Sequence, residues 1–357
     1  MQLRTIVFRV GVIGVVIIAI AAISGCSSSP ASGSAGSSGG ADGMPAWYSD
    51  PQSVYPDDRY LSSIGSGDTR RAAEQDAAAG IAQVFESRIS VDMRTAERYQ
   101  ELVSGSTTLS QSDVQFTQSV NIRSDQTLVN IQYGESATDN TGRVHVIGYL
   151  ERIPTGNIYA DLVKKNGAQV ESFLSESHGS GELLRQYAFL SAASVVAANN
   201  EVLKDQLRII SPGFAAMAET GYDYDAILQE MADLAGRMTV SVTVANDDGG
   251  RVAGALREAL SKERFPVAAD GMLSVAGSVR MEPIQLNPDY KSVRWYLNLE
   301  MRGPDGRSLV TYDNQERASG VTEEAATAFA FSDIEEAVEK DFVGAMRAYF
   351  DSLVLGR

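Results

Sequence analysis

The spacing of hydrophobic residues changes several times along the chain and marks the predicted elements. In the last third, alternate residues of Met238–Val244, Leu273–Met281 and Val293–Met301 are apolar, which is typical of strands with one buried face. Between the first two, the apolar residues of Val252–Leu260 recur at helical spacing, and a final helical run closes the chain. We therefore predict a β-α-β-β-β-α module over residues 238–357.

A similar succession is predicted nearer the N-terminus. Tyr60–Ile64 fits a strand, the Ala-rich run Ala72–Phe85 fits an amphipathic helix, and Ile89 begins a segment that again fits a strand. The next two predicted strands form a hairpin: Leu128–Tyr133 and Val144–Leu150. A helix then begins near Pro154, because proline suits the first helical position. The predicted order is β-α-β-β-β, followed by this helix.

Helical spacing dominates the middle of the chain. It runs over residues 158–210, is interrupted at Pro212 and Gly213, and returns in a shorter helix over Tyr224–Leu234. The predicted fold class is therefore α+β: two small domains, each an antiparallel or mixed sheet packed by helices, joined by a helical connector. The predicted boundaries are 44–175 for the first domain, 176–237 for the connector and 238–357 for the C-terminal domain.

Two helix starts carry predicted capping residues. Asp68 is placed to cap the Ala-rich helix, since its carboxylate can accept from the first free backbone N–H groups. Ser332 and Glu335 have the spacing of a capping box at the start of the last helix.

The first 25 residues are typical of a secretory signal. Residues 1–9 carry two arginines and no acid, and the next fourteen residues, Val10–Ile23, carry no charge. That run is short for a permanent span, which needs about 20 apolar residues. The small residues before Cys26 resemble the lipobox of bacterial lipoproteins, whose cysteine receives a diacylglyceryl group and whose new amino terminus is acylated, as with palmitate. We predict a signal peptide over residues 1–25 and lipid attachment at Cys26; the alternative is an uncleaved anchor helix.

Residues 26–43 are predicted to be the lipidated cysteine and a flexible Ser/Gly tether, with a reach of roughly 20–25 Å. Ser27 follows the cysteine, and in the resembling lipoproteins a residue other than Asp there favours the outer membrane. Cleavage removes two of the 30 basic residues and none of the 46 acidic ones, so the net charge changes from −16 to −18. Such an acidic body is repelled by anionic lipid, so the anchor must supply the attachment to the membrane.

Composition excludes several other functions. The excess of acid among 357 residues argues against a nucleic-acid binder, which needs a clustered positive face. A single cysteine excludes a disulfide framework and a Cys-based zinc site, and two histidines leave little room for a histidine-rich metal site. We find no catalytic constellation and predict no catalytic residue, no cofactor and no metal; the protein is predicted not to be an enzyme.

Four motifs were considered as binding or chemical sites. Gly65-Ser66-Gly67 could suggest a phosphate loop, but it lacks the further glycine or the Lys-Ser/Thr of such loops, and a tight strand-to-helix turn explains it better. His145 fits a packed imidazole in a strand rather than a ligand, and His178 fits an exposed loop. Asp247 and Asp248 beside two glycines fit a solvated turn, since the alternating ligands of a calcium loop are missing.

Aromatic residues cluster where the tether ends. Trp47, Tyr48 and Tyr55 could dock the leading segment onto the domain or could present an apolar edge to a partner. Docking is favoured because tryptophan buries well and the neighbouring prolines stiffen the segment.

The start of the folded region resembles the LPP-twenty (LPP20) family of bacterial lipoproteins. The elements that carry the resemblance are Pro45–Tyr48, the strand Tyr60–Ile64, Gly65-Ser66-Gly67, the helix Ala72–Phe85 and the strand Val144–Arg152. The resemblance covers about 44–175, with a long excursion over 98–125 that departs from the compact family pattern. It implies a small α+β domain without catalytic residues, a type also found in flagellar accessory proteins. More loosely, the C-terminal module resembles envelope modules such as the TolB N-terminal domain and CsgG.

The predicted function follows from the lipobox, the acidic charge and this resemblance. We expect a lipid-anchored lipoprotein of the outer membrane, facing the periplasm, that acts as a non-catalytic assembly, scaffold or protein-binding component of the cell envelope. The expected partners are the membrane, through the lipid on Cys26, and an envelope protein, with no nucleic acid. The alternatives are a surface-exposed lipoprotein or an accessory protein of a flagellar or secretion apparatus, and less favoured is an envelope hydrolase.

Overall fold

The computed structural model describes residues 43–85, 93–105, 130–287 and 290–356. The predicted signal peptide and Cys26 lie outside the described residues, as do all but the last residue of the tether. The described residues form helices and two β-sheets, so the predicted α+β class is confirmed. No helix in this part of the chain combines the length and hydropathy that a bilayer-spanning segment requires.

The N-terminal part forms a three-stranded antiparallel sheet with the order β1-β3-β2. Its elements are α1 (Ala46–Ser49), α2 (Pro51–Val54), β1 (Tyr60–Gly67), α3 (Arg70–Gln83), α4 (Met93–Gly105), β2 (Gln132–Thr138) and β3 (Val144–Glu151). The helix α3 packs on one face of β1 and β3, where its buried residues include Ala73, Ala77 and Ile81. The predicted first strand and helix are therefore present, and a hairpin is present as well, but its first strand begins at Gln132 and overlaps the predicted Leu128–Tyr133 only at the end of that range.

The glycines of Gly65-Ser66-Gly67 let α3 approach the sheet closely. A Cβ atom on Gly65 would lie 2.1 Å from both the Ala73 carbonyl oxygen and the Ala77 backbone nitrogen, and one on Gly67 would lie 2.6 Å from the Ala72 Cβ. Both glycines belong to β1, and neither has a positive φ. The expected explanation by a tight turn was therefore wrong: the missing side chains make room for a helix.

The middle of the chain consists of long helices. They are α5 (Arg152–Gly179), α6 (Leu183–Ile210), α7 (Pro212–Met217) and α8 (Tyr224–Arg237). The pair α5 and α6 is joined by a short turn, and α6 contributes to two hydrophobic clusters: one with α3, β3 and α5, and one with α4 and the C-terminal elements. The predicted boundary at residue 175 falls inside α5, and the division into domains stays a prediction.

The C-terminal part is a four-stranded mixed sheet with the order β4-β5-β6-β7. Its elements are β4 (Val240–Ala245), α9 (Arg251–Lys262), β5 (Leu273–Asn287), β6 (Tyr290–Arg302), β7 (Ser308–Gly320), α10 (Glu323–Ala337), a π-helical segment (Val338–Phe342) and α11 (Val343–Leu355). β4 and β5 are parallel because α9 connects them, and the other pairs are antiparallel. In β6, Val293, Trp295 and Leu297 are buried in the helix-packed core, whereas Arg294 and Asn298 are exposed on the other face.

Two predicted helix caps were wrong. The N-cap of α3 is Thr69, whose hydroxyl accepts from the Ala72 N–H at 3.2 Å, and not Asp68. The last helical run begins earlier than the capping box suggested, because Thr322 caps α10 and Ser332 lies inside that helix. Short polar residues occur at several positions near a helix start, and only the backbone conformation selects the one that caps.

Two element assignments also differ from the sequence analysis. The strand expected from Ile89 onward lies partly outside the described residues, and from Met93 the chain is the helix α4. In α4, Tyr99, Leu102 and Val103 are buried against the core that α6 shares with the C-terminal part, so tertiary burial decides the conformation. α5 begins at Arg152, two residues before Pro154.

A buried ion pair fastens α4 to the last helix. The Arg98 guanidinium donates to both carboxylate oxygens of Asp351, at 2.7 and 2.9 Å, and to the Ser191 hydroxyl at 3.1 Å. The Asp351 side chain is 9% exposed and that of Arg98 is 18% exposed. The N-terminal helix α4 is thus held by charge as well as by apolar contact with α6 and α11.

Candidate functional site

The candidate site lies on the face of the first sheet away from α3. Strand register places Ser66 directly opposite His145, and Ser62 opposite Tyr149. Because successive side chains alternate between the two faces, these four residues share the face that Gly65 does not. The first residues of the folded region, α1 and α2, lie on this face.

Five aromatic side chains form what we call the aromatic layer: Trp47, Tyr48, Tyr55, Tyr60 and Tyr149. The rings of Tyr55, Tyr60 and Tyr149 lie 4.8 to 5.7 Å apart between centroids, and Trp47 meets Tyr48 edge-on at 6.2 Å. Burial, followed by the neighbouring tyrosines, raises the pKa of Tyr55. In the aromatic layer Trp47, Tyr48 and Tyr55 of the chain's own leading segment thus lie against the sheet, to which Tyr60 and Tyr149 belong.

The predicted docking of the leading segment is confirmed. Trp47 is 5% exposed, and Tyr55 is half-buried among tyrosines. The indole Nε1 of Trp47 is buried with no hydrogen-bond partner among the described residues. At its rim the layer remains open, since Tyr48 is 36% and Val54 is 45% exposed.

Beneath Tyr48 lies a hydrogen-bonded series of Ser66, His145 and Asp139. The Ser66 hydroxyl lies 2.8 Å from the His145 Nδ1, and the Asp139 Oδ2 lies 2.9 Å from the His145 Nε2. With a proton on Nε2, the imidazole donates to the carboxylate and accepts from the serine hydroxyl. His145 is 5% exposed, and the Tyr48 ring lies over it at 4.7 Å. The expectation of a packed histidine is confirmed.

Asp139 is fixed by the β2–β3 turn as well as by the histidine. Its Oδ1 accepts from the Thr141 hydroxyl at 2.6 Å and from the backbone N–H groups of Thr141 and Arg143. The hydrogen bond from His145 is the largest cause that lowers the pKa of Asp139, followed by that from Thr141. The carboxylate stays ionised and holds the imidazole in one orientation.

The series has the composition of a hydrolase triad but not its arrangement. In such triads the serine faces Nε2 and the carboxylate faces Nδ1, whereas here the two nitrogens are exchanged. The backbone N–H of Ser66 donates to Asp76 of α3 at 2.9 Å and is therefore not free to bind an oxyanion. We call Ser66, His145 and Asp139 the clamp. Its hydrogen bonds join β1, β3 and the β2–β3 turn, and the ring of Tyr48 in α1 packs on its histidine.

Among the described residues, every carboxyl group with a shifted pKa has a pKa below its usual value. In each of them hydrogen bonds lower the pKa: Asp139, Glu300, Asp305 and Glu324. A hydrolase acid needs the opposite shift. Among the described residues, no group of three or more His, Cys, Asp or Glu side chains could hold a metal ion.

The remaining predicted positions lie away from the aromatic layer. His178 is exposed as expected, but it belongs to the last turn of α5 instead of a loop, and its Nε2 lies 3.0 Å from the Glu230 Oε1. Asp247 accepts from the N–H groups of Val252 and Ala253 and so caps α9, while Asp248 is exposed. The expected turn at Asp247 and Asp248 is thus confirmed, with a capping role added.

Sequence reasoning found His145 and the aromatic residues but missed Ser66 and Asp139 as its partners. The available signal was the sequence Asp139-Asn140-Thr141-Gly142 between the two predicted hairpin strands, since aspartate is favoured at the first position of such turns. The contact with Ser66 spans 79 residues and depends on the β1–β3 register, which no local pattern states. The Arg98–Asp351 pair was missed for the same reason.

The candidate site lies within the range of residues that a known protein family matches. The family model described as LPP20 lipoprotein matches the chain from the aromatic segment to β3. Residues 45–150 match the LPP20 lipoprotein family. We call this range the LPP20 region; it covers less than a third of the chain and carries the aromatic layer and the clamp. The expected resemblance to the LPP20 family is confirmed over residues 45–150.

Solved structures give weaker likenesses. The secreted protein HP1454 from Helicobacter pylori is 13% identical, with a TM-score of 0.39 over 83% of this chain and 98% of that chain. A minor lipoprotein from Acinetobacter baumannii is 10% identical, with a TM-score of 0.21 over 34% of this chain and 87% of that chain. TM-scores of this size do not define a shared fold. No curated protein matches the chain.

Proposed function

We propose that the protein is a lipid-anchored lipoprotein of the outer membrane that faces the periplasm and acts without catalysis, by binding other envelope proteins. The observation that carries the proposal is the LPP20 match directly after a lipobox-like cysteine and a Ser/Gly tether. Cys26 is the proposed site of lipid attachment. Two or three acyl chains, at about 0.8 kcal/mol per buried methylene, hold a protein on a membrane durably.

The geometry of the LPP20 region supports a binding role. Ser66, His145 and Asp139 are hydrogen-bonded to one another in the clamp. Tyr48 and Val54 are exposed at the rim of the aromatic layer. Tyrosine is among the residue types that contribute most to the binding energy of protein interfaces. A rigid cover with an exposed rim suits a docking surface better than a reaction site.

Lipidation is tested by intact-mass spectrometry of the protein extracted from envelopes. We expect cleavage before Cys26 and the added mass of a diacylglyceryl group with or without an amide-linked acyl chain. The Cys26→Ala variant should lose the added mass and appear in the soluble fraction. An unmodified Cys26 in envelope-bound protein would overturn the anchor.

Partner binding is tested by crosslinking in intact cells, with Cys26→Ala as the matched control. We expect one or two envelope proteins that crosslink reproducibly to the anchored form and are lost with the anchor. Equal capture of abundant neighbours by both forms would contradict the binding role. Protease treatment of intact cells separates the proposal from a surface-exposed lipoprotein, since a periplasm-facing protein is cut only after the outer membrane is opened.

A further inference from the structure

Over the described residues, an unpaired strand edge lies beside a groove in the C-terminal part that has both apolar and polar lining residues. β4 pairs with β5 only as far as Ala245 opposite Ser278, and β5 continues for nine residues to Asn287. Over the described residues, no strand pairs with this continuation on the side away from β6. An unpaired edge presents backbone donors and acceptors that a further strand can bind.

The direction of these backbone groups follows from the register. The Leu273 N–H donates to the Thr239 carbonyl on the β4 side, and β5 pairs with β6 without a shift from Ser274 to Ile284. Since backbone groups alternate along an antiparallel strand, the odd-numbered residues of this stretch face away from β6. Met281 therefore points its N–H and C=O outward. Pro283 fits the same direction, because it has no N–H to give to β6.

The groove beside this edge has a volume of about 430 Å³. Its apolar lining consists of Val279, Met281, Pro283, Val293 and Phe331, contributed by β5, β6 and α10. A longer β4 would occupy this space, but Asn246 takes a positive φ, and the chain then turns into α9. The groove therefore lies next to the position that one further strand, collinear with β4, would take.

The charged residues at the rim of the groove indicate which kind of segment would bind there. Asp248 and Glu323 line the groove, are exposed, and have no basic partner among the described residues. Arg280 is already engaged, since it pairs with Glu282 at 2.8 Å and lies over the Tyr296 ring at 4.2 Å. The unbalanced charge of the rim is thus negative, which favours a segment that carries lysine or arginine.

We propose that the outer edge of β5 binds an extended segment of a partner protein, with apolar side chains at alternate positions and a basic residue at its flank. The segment adds a strand beside Met281 and Pro283, inserts its apolar side chains into the groove, and places its basic residue near Asp248 and Glu323. A second copy of this chain is a poorer occupant. It brings the same acidic rim and another Pro283, so it offers neither complementary charge nor a complete ladder.

This inference rests on the proposed binding function and names its site. The test uses the full-length lipidated protein in cells, with a photoreactive amino acid at Thr327 in the groove. The same residue at Asn298, on the exposed sheet face, or at Tyr48, in the aromatic layer, serves as comparison. We expect a crosslink from Thr327 to one envelope protein, mapped by mass spectrometry to an extended segment with alternate apolar residues and a basic flank.

Substitutions at Met281 and Glu323 distinguish strand addition from general proximity. Met281→Pro removes the outward N–H but no hydrogen bond to β6, and should reduce the Thr327 crosslink at least tenfold. Met281→Ala removes the same side chain from the core and the groove but keeps the N–H, so it should retain more of the crosslink than Met281→Pro. Met281→Leu keeps the N–H and should retain the crosslink. Glu323→Lys should weaken binding of a synthetic peptide copied from the crosslinked segment at least fivefold, and that peptide should slow amide exchange at Met281 in the parent protein.

The outcomes separate this inference from the proposed function. If Tyr48 or Asn298 captures a partner and Thr327 does not, the binding function stands and the groove is not its site. A crosslink from Thr327 that survives Met281→Pro overturns strand addition. If no position captures a partner from the anchored protein, both the inference and the binding function fail.

Discussion

The three-stranded sheet of the LPP20 region and the four-stranded C-terminal sheet differ in whether the face away from their helices is covered. In the first, that face carries His145 and Tyr149 and lies under the aromatic layer, with Trp47 almost fully buried. In the second, the corresponding face carries exposed polar side chains such as Arg294 and Asn298, and nothing in the described part of the chain covers it.

The sizes of the two sheets account for this difference. Three short strands bury little by themselves, so the LPP20 region gains stability from a second cover. The C-terminal sheet has longer strands and a core closed by α9, α10 and α11, so its other face can stay polar and solvated. The comparison teaches that the chain covers the smaller sheet with its own aromatic segment, whereas the β5 edge of the larger sheet stays unpaired among the described residues.

The close approach of α3 to β1 should be the most sensitive feature of the smaller sheet. Gly65→Ala places a Cβ atom against backbone atoms of α3 that cannot rotate away, and we expect a loss of about 4 kcal/mol or more in the free energy of unfolding. Denaturant unfolding measures this loss.

The matched control is Gly254→Ala in α9, where an added Cβ meets open space. It should stabilise the protein by roughly 0.5–1 kcal/mol, because alanine is the better helix former. Hydrogen exchange should locate the Gly65→Ala damage in the LPP20 region. Equal loss of protection in the C-terminal sheet would show that the two regions unfold together.

Removing one partner of the buried ion pair tests how α4 is held to the C-terminal part. Asp351→Ala leaves the Arg98 guanidinium without its carboxylate, and we expect destabilisation of about 3–4 kcal/mol. The double variant Arg98→Met with Asp351→Leu should recover most of this loss, since no charge is left buried. A thermal-unfolding cycle of single and double variants measures the coupling; additive losses would show that the pair does not act as a unit.

Trp47→Ala and Tyr296→Ala compare the two sheet faces that lie away from the helices, one covered and one open. Trp47 is buried in the aromatic layer, so its truncation should cost about 3 kcal/mol. Tyr296 lies on the open face of β6, where it stacks under Arg280, and its truncation should cost about 1 kcal/mol or less. Urea unfolding of both variants gives the difference, and similar losses would mean that the two faces are not treated differently after all.

The turns of the two hairpins should respond differently to acid. Asp139 has its pKa lowered chiefly by His145, and Asp305, in the β6–β7 turn, has its pKa lowered chiefly by the Arg307 backbone N–H. A carboxyl whose pKa is lower in the folded state stabilises that state above its unfolded pKa, and the contribution is lost as the pH falls through the folded value.

Asp139→Asn should therefore destabilise the protein most above about pH 4, with a gap from the parent protein that narrows at lower pH. Asp305→Asn should show the same direction with a smaller gap, because no histidine assists that carboxylate. Unfolding temperatures from pH 2 to pH 7 test both variants. A gap for Asp139→Asn that is independent of pH would remove the charge of Asp139 as the cause.

Local patterns predicted the elements better than their ends. The alternation in Val293–Met301 and the helical spacing in Val252–Leu260 both correspond to observed elements, since each pattern reflects one buried face of one element. The caps at Asp68 and Ser332 were wrong because several short polar residues could serve, and the packing of the whole helix selects one.

The candidate site was predicted only in its separate pieces. Trp47 and His145 were each recognised, but their assembly with Ser66 and Asp139 requires the β1–β3 register and the position of α1. The unpaired edge of β5 could not be predicted from the sequence either. It depends on where β4 ends relative to β5, which begins about thirty residues later. Contacts between distant segments leave no periodic signal in either segment.

By itself the sequence determined what is local to this protein: the predicted signal and Cys26, most of the strands and helices, the acidic charge and the absence of a recognisable catalytic motif. The tertiary structure decided what depends on pairing. It turned the segment after Met93 into a helix, joined Arg98 to Asp351, and left the edge of β5 without a pairing strand in the part of the chain that the structure describes. The physical reason is that hydrophobic periodicity fixes which face of an element is buried, whereas the neighbour against which it is buried is set by register and packing across the chain.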